Sequence, residues 1–191
     1  MIKLHRFSTL ALCTVLALPA MMQAQAASTA AMQIAPAESF KALLGNLEKE
    51  IVGAAEAMPA DKYNFVPTSG DFKGVNSFAA QVKHLAAANY EFFEGWGIPN
   101  AVDPKTIEAL KTKDEIIKAL KTSYEYVHAA TDSITAANAF EALPNQPPQR
   151  KATRASALAL CMAHSMDHYG QMVEYLRMNS IIPPASRKSG M

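Results

Sequence analysis

Ala163-His164-Ser165-Met166-Asp167-His168-Tyr169-Gly170-Gln171 lies inside the last long apolar-periodic segment of this 191-residue chain. Read as helix, the stretch sends His164 and His168 off one face a single turn apart, so both imidazoles can close on one cation. Two donors make only a clip. A tetrahedral or octahedral site needs at least one more protein donor, and a catalytic site keeps a position open for water or substrate. The third donor is expected from His84, in the helix-like segment 82–90, so that three imidazoles converge from two packed helices. The plainer reading of the pair is two polar residues on a solvated helix face.

Outward from this stretch the chain reads as helices joined by loops. Phe40, Leu43, Leu44, Leu47, Ile51, Val52 and Ala55 recur at helical spacing and predict a first amphipathic helix from Ser39 to about Met58-Pro59. Residues 60–74 form a long connection. Its Tyr63, Phe65 and Phe72 are too apolar for a free loop and are expected to pack over one end of the core. A second helix begins near Asn76 or Ser77, either of which can cap it, and runs to Glu94 before Gly95 and Pro99. Ala80 and Ala88, one turn on either side of His84, leave room for a neighbouring helix to come close. Asp103-Pro104 starts a short extra piece, and Ile116, Leu120, Tyr124, Val127 and Ile134 mark a third helix over 112–135. Residues 139–150 hold Pro144, Pro147 and Pro148 and read as a second long loop. The last helix spans about Thr153 to Asn179. One face carries Leu158, Met162, Met166, Val173 and Leu176, and a neighbouring face carries Leu160, His164, His168, Gln171 and Tyr175. Four long amphipathic helices without a strand pattern predict an all-α, four-helix bundle over residues 37–185, an architecture that builds metal and ligand sites from facing helices.

The start of the chain belongs to export rather than to the fold. Lys3, His5 and Arg6 precede an apolar run from Phe7 to Leu18 that is too short to span a bilayer, and Ala24-Gln25-Ala26 is a small-x-small cleavage site. Residues 1–26 therefore read as a signal peptide, 27–36 as a flexible lead-in and 186–191 as a tail, which predicts a periplasmic or secreted protein. Leu12 before Cys13 is too large for a lipobox, and no other segment is apolar enough to cross a membrane. Losing Lys3 and Arg6 with the leader turns 18 basic against 17 acidic residues into a small acidic excess. Such a balance offers no basic stripe for nucleic acid. Cys13 leaves with the leader, so Cys161 stands alone and no intrachain disulfide can form.

Several chemistries are excluded by pattern. His128 ends the chain's Glu125-x-x-His128, and neither His84 nor His168 has a glutamate three residues earlier, so the paired Glu-x-x-His of di-iron helical proteins is missing. Ser165 fills the place of the general base in the His-Glu-x-x-His of zinc proteases. Glycine-rich phosphate loops and Cys-x-x-Cys pairs are absent. Cys161 is three residues before His164 and within reach of the same site, although a buried, packing cysteine is the default. Glu91 and Asp167 are candidates to hold imidazole N–H groups, or are solvated charges, while Gln171 and Tyr175 are candidates to line the open side, with core filling the alternative for Tyr175.

The helix-two histidine, His164-x-x-x-His168 followed by Tyr169-Gly170-Gln171, the tail 175–184 and the link 59–67 together resemble the DinB-like family of metal-binding four-helix proteins. The resemblance covers nearly all of the chain after the leader. It implies a three-histidine metal site on His84, His164 and His168. Relatives include S-transferases that use bacillithiol or mycothiol and a maleylpyruvate isomerase, which implies a metal-activated thiol acting on a small molecule. Those thiols are cytoplasmic, so the leader is a departure from the family's usual setting.

The expected function is an exported protein with a mononuclear divalent site, serving a metal-dependent transferase or hydrolase. The competing class is a non-catalytic module whose metal ties helices together, and a third is a bundle whose histidines bind nothing. Three imidazoles suit zinc, nickel, iron or copper. A homodimer is in keeping with such bundles.

Overall fold

A computed structural model describes residues 33–71, 73–144 and 146–187; the leader over 1–26, most of the lead-in, Phe72 and the last four residues of the tail lie outside them. From Ala35 onward the described chain is helical. Its elements are α1 (Pro36–Ala57), α2 (Phe78–Glu91), the short α3 (Pro104–Glu108), α4 (Lys113–Asp132) and α5 (Arg154–Met178), with single 3-10 turns at Ala60–Lys62, Pro148–Arg150 and Pro184–Ser186. None of the described helices is long and apolar enough to cross a membrane.

Local chemistry sets most of these boundaries. Pro36 opens α1 at a position where its missing N–H costs nothing, and Met58, forced out of helical geometry by the proline after it, closes the helix. The Ser77 hydroxyl caps α2 by accepting from the Ala80 N–H at 3.2 Å. Reciprocal capping boxes start α4 (Thr112 with Glu115) and α5 (Thr153 with Ser156). The Glu115 carboxylate accepts from the Thr112 N–H, the Thr112 hydroxyl and the Lys111 N–H, which together hold it below the usual carboxylate range. At the far end of α5, Ser180 takes φ 61° while the Ile181 N–H returns to the Leu176 carbonyl, a Schellman closure.

Packing of α1 on α4, α4 on α2, α2 on α5 and α5 on α1 closes a ring of the four long helices, with α3 laid against α2. Leu44, Ile51, Phe78, Val82, Leu85, Leu120, Tyr124, Val127, Leu158 and Met172 fill its interior. The link between α1 and α2 covers one end, as its apolar residues suggest. Tyr63 is buried edge-on against Phe78 at 5.3 Å, and Phe65 meets Tyr175 at 5.7 Å. Met166 departs from the face assigned to it and is 44% exposed. Each four-residue step turns a helix about 40° past a full revolution, so two steps carry Met166 off the stripe begun by Leu158. Cys161 and Ser165 are buried there instead.

Candidate metal centre

His84 from α2 and His164 and His168 from α5 meet where those two helices pack. Nε2 of His164 lies 3.1 Å from Nε2 of His84 and 3.2 Å from Nε2 of His168, and the three donor atoms all fall within 4.8 Å of one another. Imidazole nitrogens bound at about 2.0–2.1 Å to one tetrahedral zinc would stand about 3.3–3.4 Å apart. The two separations from His164 are therefore already those of a shared cation, and His84 and His168 stand no more than 4.8 Å apart. Ala88 and the buried small residues near it give α5 the approach that this requires.

The proton on His168 is placed by a chain of side chains that ends on a carboxylate. Asp167 can only accept, so Gln171 donates Nε2–H to Asp167 Oδ2 at 3.0 Å and turns its carbonyl the other way. Gln81 donates Nε2–H to that carbonyl at 2.7 Å and so presents its own Oε1 to His168 Nδ1. His168 must then carry its proton on Nδ1, which leaves Nε2 bare and aimed at His164. One proton on His164 Nε2 points at one neighbour but not at both, whereas one cation satisfies all three nitrogens. The donor set fits a divalent metal on this ground.

Burial, and then the neighbouring imidazoles, hold His168 down to about 4 and lower His164 as well. Both are neutral at pH 7, the form that ligates. Phe92 packs edge-on over the His164 ring at 5.3 Å and shields one side of it.

A cavity of about 710 Å³ opens on His84 and His164, walled by Glu91, Phe92, Ala157 and Leu160 from the helices and by Leu143, Gln146 and Arg150 from the loop before α5. That loop is held in place: the Leu143 N–H donates to the Ala152 carbonyl at 2.9 Å and the Ala155 N–H to the Ala139 carbonyl at 3.0 Å.

Residues 44–172 match the DinB superfamily. The chain belongs to that superfamily. No curated protein matches it. The DinB assignment and the three-histidine cluster together are compatible with metal binding.

The other candidates separate. Glu91 lines the cavity, and Asp167 and Gln171 belong to the chain that orients His168. Tyr175 is buried away from the cavity lining and donates its hydroxyl to the Asn76 carbonyl at 3.0 Å, pinning the link to α5. His128 pairs with Glu48 across α4 and α1 at 2.7 Å. Cys161 turns inward, where its thiol donates to Asn89 Oδ1 at 3.6 Å and Asn89 in turn donates to Ser123 Oγ at 2.9 Å. Gln81 was not singled out by the sequence. Its one signal is a glutamine three residues before His84, on a face of α2 that is otherwise apolar.

Two results are expected here. Gln81→Leu keeps the site buried but leaves Nδ1 of His168 without an acceptor, and should weaken metal affinity about 10- to 100-fold with the helical circular-dichroism signal intact. Cys161 is pushed up to about 12 by burial, with Ser165 pulling the other way. The folded state thus favours the neutral thiol over the unfolded one, whose value is 9.0, so this contribution to stability is complete below pH 9 and fades as pH rises past it. At pH 8 the native thiol should resist alkylation and react only when urea unfolds the chain, as mass spectrometry would show.

Proposed function

We propose that this is an exported four-helix bundle of the DinB type, its leader removed after residue 26, with one domain over 37–185. In this reading a mononuclear divalent metal on His84, His164 and His168 serves a transferase or hydrolase reaction on a small molecule. The observation that carries the reading is the cavity bordering two of the three imidazoles. A structural metal site is closed by protein on every side, and a catalytic one keeps a face open to substrate.

A divalent cation held there supplies Lewis acidity, bringing the pKa of a bound water or thiol toward neutrality. The protein's own residues do the rest. Gln81 holds His168 in one tautomer, and Phe92 keeps water from one side of His164. Glu91, two turns along α2 from His84, raises the proton affinity of His164 through its charge. Its carboxylate on the cavity wall is the group that takes the proton released when a nucleophile forms.

Elemental analysis of the protein purified without an affinity tag tests the proposal first. About one equivalent of divalent metal per chain is the expected result. Failure to take up any metal after reconstitution would sink it and turn attention to ligand binding.

A further inference from the structure

The cavity has a second charged end besides the histidines. Arg150 closes the 3-10 turn Pro148–Arg150, its N–H donating to the Pro147 carbonyl at 2.9 Å, and its guanidinium donates to Gln146 Oε1 at 3.4 Å. Lys151 follows at φ 48°, a left-handed conformation that a long side chain adopts at a cost. The fold thus holds the chain at a strained residue in bringing Arg150 to the cavity wall. Among the described residues Arg150 makes no ion pair. The remaining wall is largely apolar: Ala88, Phe92, Leu143 and Leu160, the last 60% exposed at the mouth.

We infer that the cavity takes an amphiphilic anion whose oxyanion head pairs with Arg150 and whose apolar body lies along Phe92, Leu143 and Leu160. This names the substrate class of the site proposed above and rests on that reading. The physical reason is charge and shape together. Arg150 and Glu91 are the cavity's oppositely charged side chains, and a divalent cation held on the three histidines would tip that balance toward positive. A guanidinium without a carboxylate partner presents its fork of N–H groups to a carboxylate or phosphate. An exposed leucine beside it gains by being covered with hydrocarbon.

Calorimetric titration of octanoate, octyl phosphate and octylamine, into the protein with and without one equivalent of cobalt(II), tests the inference. Octanoate or octyl phosphate should bind, the tighter of the two identifying the head group, and Arg150→Gln should weaken it about tenfold or more. Cobalt uptake by Arg150→Gln should equal that of the wild type. Unchanged anion affinity in Arg150→Gln, equal binding of octylamine, or binding of neither anion would overturn the inference. Failure to take up cobalt would overturn the metal reading instead, and the Arg150 dependence would still be read from the metal-free titration. Leu160→Ser, at an exposed position where folding is not at stake, should also weaken the alkyl anions.

Discussion

Replacing His168 with alanine should take the protein from about one bound divalent metal to none under dialysis conditions that leave the wild type loaded. A full structural zinc set is worth roughly 10–16 kcal/mol, so losing one ligand of the set costs about 3 kcal/mol, more than a hundredfold in affinity. The same loss is expected for His84→Ala. His84 alone reaches the site from α2, and without it the α5 pair is a two-donor clip. Alanine is a better helix former than histidine, so neither change should unfold its helix. Elemental analysis beside circular dichroism would check this, and stoichiometric metal in either variant would remove the three-histidine assignment.

Phe78→Ala should cost about 3–5 kcal/mol of stability, the range for deleting a buried phenylalanine. Phe78 is completely buried at the first turn of α2, stacked edge-on with Tyr63 from the link, and its N–H donates to the Phe65 carbonyl at 2.9 Å. The backbone bond survives the substitution. The ring's cavity cannot collapse easily, because Tyr63 is itself held by its burial and by the Ala79 N–H donating to its carbonyl at 2.8 Å. Urea denaturation should show a lower midpoint with a similar slope. A loss below about 1 kcal/mol would mean that the link and the helix start are not rigidly packed.

These two changes act at opposite ends of what could be read beforehand. His164 and His168 were legible because helical periodicity places i and i+4 side chains on one face without help from the rest of the chain. The apolar periodicity of 40–55 and 112–135 and the prolines of 139–150 likewise mark helices and a loop from local chemistry alone. The second helix is three residues shorter than its sequence pattern predicts: α2 ends at Glu91, and residues 92–94 turn with hydrogen bonds to 88, 90 and 91 before Gly95 at φ 79°. Such ends depend on which of several turn bonds wins.

What the amino-acid sequence determines by itself is the all-helical character and the His164–His168 pair able to share a cation, since both follow from short-range spacing and residue type, while the DinB kinship rests on the match over residues 44–172. What only the tertiary structure decides is which groups meet across long separations. Gln81 reaches His168 over 87 positions, and only the α2–α5 contact puts it there. Cys161 faces the core rather than His164 three residues on, because the roughly 60° by which that offset falls short of a full turn lies on the core side, where α2 offers it Asn89. The loop over 139–150 becomes a cavity wall because its backbone is pinned to the start of α5. Each is a consequence of packing, which local propensity does not contain.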